Sequence, residues 1–235
     1  MNDSGLQNVG ETTLSALADE VTRRLTAHFG KPIWRKPLSP IDELVSTILS
    51  QNTNDNNRDF AFDRLKQEFS TWEEVREAPE NAVIDAIRPA GLANQKGPRI
   101  QNVLREITKQ RGSLDLSFLE DLPPAEIKTW LLQFKGVGPK TAAIMIQFAL
   151  NKPAFPVDTH IYRVSGRLGL RPAKMSVEKT HDHLENLFRP ESYYDLHLNI
   201  IQLGRTICKA RKPLCNQCPL NDICAYYQHE TGAKP

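Results

Sequence analysis

The chain has 235 residues, with 30 Lys and Arg against 28 Asp and Glu and a formal net charge of +2. Hydrophobic residues make up 40% and charged residues 25%, which argues against wholesale disorder, and the length suits one larger domain or two lobes of roughly 100 residues. So small a net charge excludes a polyanion-binding surface built from global charge, so any nucleic-acid contact must come from local clusters.

The amino terminus, MNDSGLQNVGETTLSALADE, has no basic start followed by an apolar run, so a secretory signal is not expected. No stretch approaches the roughly 20 apolar residues of a membrane helix, and a cytoplasmic protein is the expectation. Apolar residues recur at helical spacing in Leu14, Leu17, Val21 and Leu25, and again in Ile41, Leu44, Val45, Ile48 and Leu49. Gly30 and Gly112 can end helices; Ser39-Pro40 supplies a cap and a first-turn proline; Thr71 with Glu74 suits a capping box. Further helices are predicted near 55–69, 98–111, 123–134, 140–150, 159–169, 176–188 and 193–207, with hinge candidates at 36–40 and 151–156. Strand alternation is absent, so the reading is an all-α protein of about ten short helices.

The segment LLQFKGVGPKTAAIMIQFAL sets Gly136, Val137, Gly138 and Pro139 between two helical stretches. Glycine at 136 and 138 permits positive φ and close backbone approach, and proline suits the first turn of the second helix. Unpaired N–H groups at that helix start, with the positive end of its dipole, would accept a DNA phosphate; a hairpin that only reverses the chain is the equally available alternative. Lys140 adds chemistry. At a helix start its free amine is favoured over the ammonium, which makes it a candidate nucleophile for Schiff-base formation, whereas a solvated lysine reaching away from the turn is the bland reading.

Eighteen residues on, in FPVDTHIYRVSGRLGL, Asp158 precedes a helix that it or Thr159 caps. An ionised carboxylate there suits stabilisation of a developing cationic sugar better than it suits strong-base chemistry. His160 is expected to make a local hydrogen bond. Two acid-free clusters follow, Arg163, Arg167, Arg171 and Lys174, then Arg205, Lys209, Arg211 and Lys212; each is either a phosphate-binding patch or an ordinary solvated face.

All four cysteines, Cys208, Cys215, Cys218 and Cys224, fall in one C-x6-C-x2-C-x5-C run. In a reducing compartment four thiols in so short a loop point to one metal centre, either tetrahedral zinc or a four-iron cluster, since both take four sulfur ligands.

Taken together, GVGPKTA, VDTHIYRV and the cysteine run resemble, in that order, the endonuclease III family of helix-hairpin-helix DNA glycosylases, over about residues 38–226. The resemblance implies two lobes with the active site in the cleft between them: a six-helix domain with the helix-hairpin-helix at 38–152, and a discontinuous iron-sulfur cluster domain made of 1–37 and 153–235. It implies a 4Fe-4S cluster on the four cysteines. It further implies base excision repair by a bifunctional glycosylase and AP lyase, in which Lys140 attacks the sugar C1′ of a damaged pyrimidine nucleotide and β-elimination nicks the strand. The partner is then duplex DNA containing oxidised pyrimidines or abasic sites, and the protein a nucleoid-associated monomer without membrane contact.

Such an enzyme must take its target nucleotide out of the stack. Carried over from the family, Leu92 and either Gln51 or Asn52 would fill the gap, Gly136, Val137 and Gly138 would grip the backbone, and Lys212 would contact DNA. Ala93 stands where a tyrosine is common, and Pro139 replaces a frequent basic residue of this turn. Two rivals stay open. One is a monofunctional adenine-removing glycosylase, a type the resemblance implies lacks lysine at 140. The other is a DNA-binding module in which neither Lys140 nor Asp158 does chemistry.

Overall fold

The computed structural model describes residues 4–33 and 36–231, and among these there are α-helices, short 3-10 turns and one π turn but no strand. In chain order the helices are α1 (Ser4–Phe29), α2 (Pro40–Ser50), α3 (Asp55–Glu68), α4 (Trp72–Glu77), α5 (Glu80–Ala86), α6 (Ala93–Arg111), α7 (Pro124–Leu132), α8 (Pro139–Ile144), α9 (Thr159–Leu168), α10 (Val177–Leu187), α11 (Tyr193–Thr206) and α12 (Ala225–Thr231). No described helix is long and apolar enough to cross a membrane.

The caps legible in the sequence form. Ser39 Oγ accepts the amide of Asp42 at 3.3 Å with Pro40 in the first turn of α2, and Thr71 Oγ1 accepts that of Glu74 at 3.2 Å at the start of α4. Glu74 returns its carboxylate to the Ser70 amide at 2.7 Å, one residue short of the reciprocal bond of a capping box. Gly30 and Gly112 end their helices at φ 80° and 78°.

Two predicted boundaries move. The helix expected at 98–111 begins at Ala93, so Gly97 and Pro98 lie inside α6. Packing overrides the local punctuation: a methyl group on Gly97 would sit 2.8 Å from Ile84 Cγ1, so the glycine lets α5 approach α6, while Lys96, Gly97 and Ile100 are buried. The helix expected at 140–150 is α8 followed by a π turn, Met145–Ala149. Helix α12 carries no cap or periodic run that periodicity alone would flag.

The chain divides into two compact units, Met1–Arg35 with Pro153–Pro235, and Lys36–Lys152. Residues 1–3, 34–35 and 232–235 of the expected discontinuous domain lie outside the described residues. The discontinuous unit has a core of Val21 and Leu25 from α1, Ile161 and Val164 from α9, Leu184 from α10 and Ile200 and Leu203 from α11, which reaches Leu220 and Cys224 of the cysteine loop. In the continuous unit Leu44, Ile48 and Leu49 of α2, Leu65 of α3 and Ile100, Leu104 and Ile107 of α6 are fully buried. Each such side chain contributes about 1.5–3 kcal/mol relative to exposure, which holds the loops between these helices to fixed anchors.

Candidate active site and nucleic-acid interface

Helix α7 ends after Leu132, and Phe134, Val137 and the two glycines turn the chain into α8. The amide of Val137 donates to Phe134 O at 3.0 Å within the turn, and the residue is buried. Gly136 has φ 95°, the left-handed region, and a methyl group there would meet Arg99 Cδ at 2.3 Å. Gly138 departs from expectation. It is extended, with φ −102° and ψ −179°, and has open space where a Cβ would stand, so neither a positive φ nor a close contact within the chain requires glycine there. It is the N-cap of α8, and no side chain caps that helix. Lys140, two residues on, is exposed.

The turn is tied to two other loops through the first turns of α6. Gln51, which ends α2, donates from Nε2 to Gly136 O at 3.3 Å, and Arg99 Nη1 donates in turn to Gln51 Oε1. Three residues back along α6, Lys96 is 1% exposed, and its Nζ donates to Leu49 O at 2.7 Å and Ala90 O at 2.8 Å. Burial, then the charge of Arg99, bring that ammonium down to about 8. Neither Lys96 nor Arg99 was expected to matter from the motifs. The signal was present in the spacing, since Lys96 stands on the same face as Ile100, Val103, Leu104 and Ile107, a lysine at the head of an apolar stripe.

Four non-glycine residues adopt left-handed backbone among those described: Asn52, Leu92, Asn151 and Lys212, with φ of 49–53°. Three of them, Asn52, Leu92 and Lys212, are among the residues carried over as DNA contacts, and all three side chains are exposed. This conformation costs an L residue roughly 1–2 kcal/mol, least for asparagine, and such strain concentrates where a loop must present a side chain. Gln51, by contrast, is half-buried and already engaged on the hairpin, so the two alternatives at this loop have different settings.

In the discontinuous unit Asp158 is the N-cap of α9: its Oδ1 accepts the Ile161 amide at 2.7 Å. It is half-buried. His160 makes a local contact, Nδ1 lying 3.2 Å from Arg163 Nη2. In the first basic cluster Lys174 is exposed, but the three arginines are turned to carbonyls of the chain rather than forming a solvated face. Arg163 donates to Cys208 O at 3.1 Å and Gly204 O at 2.9 Å; Arg167 donates to Lys209 O at 2.8 Å and Cys208 Sγ at 3.3 Å. Arg171, 8% exposed, lies 3.6 Å over the Tyr162 ring and donates twice to Tyr162 O. These guanidiniums satisfy carbonyls of a helix end and of a loop without a strand partner. In the second cluster Arg205, Lys209, Arg211 and Lys212 are exposed.

The four cysteines form no disulfide and line one small cavity together with Val164, Leu203 and Ile207. Among the described residues no three His, Cys, Asp or Glu side chains converge to hold a single metal ion. Four thiols set around a common space supply the four sulfur ligands that a 4Fe-4S cluster takes. Burial pushes the Cys218 thiol up to about 11 and raises that of Cys224, so a thiolate here needs a compensating positive centre.

The model of the HhH-GPD superfamily of base excision DNA repair proteins matches residues 45–190, more than half of the chain. The chain belongs to that superfamily. The iron-sulfur binding domain of endonuclease III matches residues 208–224, and this glycosylase carries a 4Fe-4S cluster. It is 32% identical to endonuclease III of Thermotoga maritima over 90% of its own length and 94% of the relative's, and 35% identical to that of Sulfolobus acidocaldarius over 78% and 81%. It spans 60% of a DNA glycosylase relative from Arabidopsis thaliana, at 37% identity. A solved endonuclease III in a non-covalent complex with DNA superposes with a TM-score of 0.78 at 25% identity, covering 93% of this chain and 99% of that one. The fold is therefore that of the helix-hairpin-helix glycosylases. The chain is an endonuclease III-like DNA-binding glycosylase of base excision repair, a family in which abasic-site lyase activity is typical.

Proposed function

We propose that this glycosylase removes oxidised pyrimidines from duplex DNA through a Schiff base on Lys140 and then nicks the strand by β-elimination. The observation that carries the reading is the exposed Lys140 amine at the second position of α8, directly after a turn whose helix start has no side-chain cap. Its lone pair bonds to C1′ of the damaged nucleotide as the glycosidic bond breaks, and the base departs with the bonding pair and takes up a proton. Ring opening gives the imine between Nζ and C1′. Loss of a C2′ proton then expels the 3′ phosphate, and water returns the lysine. Asp158 stabilises the cationic character of the sugar. A relative at 26% identity and a TM-score of 0.78 was solved as a trapped covalent intermediate with DNA.

In the same reading the backbone of Gly136, Val137 and Gly138 grips phosphate, Leu92 and Asn52 fill the gap left by the extruded nucleotide, and Gln51 holds the hairpin beside them. Lys212 adds a phosphate contact. Cys208, Cys215, Cys218 and Cys224 ligate the cluster, which when bound supplies a rigid support for the loop that presents Lys212. Units 38–152 and 1–37 with 153–235 act as the hairpin and cluster domains of a cytoplasmic, nucleoid-associated monomer.

Borohydride trapping tests the mechanism. With an oligonucleotide duplex carrying an oxidised pyrimidine, the wild type is expected to leave a covalent adduct, and Lys140→Gln none while still binding. Undiminished strand cleavage by Lys140→Gln overturns the assignment.

A further inference from the structure

Lys96 takes no part in the chemistry just described, yet its setting is costly. An ammonium in an apolar core must be repaid by good partners, and a leucine or methionine would extend the Ile100 and Leu104 stripe of α6 without that cost. Among the described residues no carboxylate pairs with it. Its two partners are carbonyls: Leu49 O in the last turn of α2, where the helix dipole is negative, and Ala90 O at the end of the 3-10 turn Arg88–Ala90. These carbonyls are 41 residues apart in sequence, and each stands two or three residues before an exposed side chain on left-handed backbone, Asn52 in one loop and Leu92 in the other. One ammonium thus anchors the roots of both loops to a single point on α6. Arg99, one turn further, adds the link through Gln51 to the carbonyl of Gly136.

We infer that Lys96 is a positioning residue that fixes the spacing of the Asn52 and Leu92 loops so that both enter the duplex together when a nucleotide is extruded. The inference rests on the reading that Asn52 and Leu92 fill that gap. Two exposed loops left to fluctuate independently would each be ordered at the moment of binding, and the cost of ordering would fall on extrusion; a shared buried anchor removes it beforehand. The anchor is electrically apt, since a neutral amine or an ammonium each carries at least two N–H donors for the two carbonyls.

The test compares two substrates within one protein, so that the fraction of folded enzyme cancels. Single-turnover rates are measured on a duplex with a paired oxidised pyrimidine and on one with a preformed abasic site, where less stacking must be broken. For Lys96→Met the ratio of the paired-lesion rate to the abasic rate is expected to fall at least about tenfold, and a 2-aminopurine opposite the lesion should brighten less on binding. An unchanged ratio overturns the inference, as do equal losses on both substrates. If Lys96→Met does not fold, Lys96→Arg carries the same comparison, because its longer stem keeps charge and donors while pushing the two carbonyls apart; an unchanged ratio there also overturns it. Leu92→Ala separates the two levels of the argument. A ratio that falls in Leu92→Ala but not at position 96 refutes the anchor alone, and a ratio unmoved by Leu92→Ala refutes the gap-filling on which it rests.

Discussion

Gln51 Nε2 donates to the carbonyl of Gly136 at 3.3 Å, joining the end of α2 to a turn 85 residues away. The same amide accepts from Arg99 through its oxygen, so one side chain satisfies a turn carbonyl and holds a guanidinium beneath it. Replacing it by leucine keeps the volume and removes both bonds. Gln51→Leu is expected to lose about 1 kcal/mol of stability and several-fold in affinity for undamaged duplex, read by denaturant unfolding and fluorescence anisotropy. Unchanged affinity would mean that the hairpin holds its shape without α2.

The two glycines of the turn should respond differently, although the motif treats them alike. Gly136 is left-handed and lies against Arg99, so Gly136→Ala combines backbone strain of roughly 1–2 kcal/mol with a clash and should destabilise the fold. Gly138 is extended with open space beside it, and Gly138→Ala should unfold within about 0.5 kcal/mol of the wild type. If, as proposed, the turn grips DNA phosphate, the added methyl group stands in that path and duplex affinity is expected to drop. A thermal melt and a binding titration on each variant decide the matter: similar losses of stability in both would contradict the geometry.

Much of this was readable from the residues because the determinants are local. The caps at Ser39, Thr71 and Asp158 each bond to the amide three residues on, and the cysteines lie within one short loop. What escaped the sequence depends on partners far along the chain. Gly97 looks like a helix breaker until Ile84 is placed against it, and Arg163, Arg167 and Arg171 look like a basic face until the carbonyls of 204, 208, 209 and 162 are found in front of them. Lys96 is the clearest case, since its meaning lies in two carbonyls whose convergence no periodicity encodes.

Asp158 caps α9, and capping and catalysis can be separated at this position. Asparagine accepts the Ile161 amide as well as aspartate does, so Asp158→Asn should keep stability within about 0.5 kcal/mol, whereas Asp158→Ala should lose about 1 kcal/mol. Loss of the negative charge is expected to slow base excision by a factor on the order of 10² or more in both. Single-turnover excision beside urea unfolding gives the answer; an Asp158→Asn protein with full activity would reduce the residue to a cap.

The buried ammonium of Lys96 gives stability a pH dependence whose sign follows from its setting. Burial, with the charge of Arg99 as the second cause, brings it from the usual 10.5 down to about 8 in the folded chain. Below pH 8 the group is charged in both states and the folded one bears the desolvation. Between about 8 and 10.5 the unfolded chain holds the proton and the folded chain does not, so stability rises with pH through that window, by up to about 3 kcal/mol. Both carbonyl bonds survive, because a neutral amine retains two N–H groups for Leu49 and Ala90. Other lysines and tyrosines also titrate in this range, so the measured quantity is the difference in unfolding free energy between wild type and Lys96→Met at pH 7 and at pH 10. That difference is expected to shift toward the wild type at the higher pH. A shift in the opposite direction would mean that the two carbonyl dipoles outweigh burial and hold the lysine charged in the folded protein.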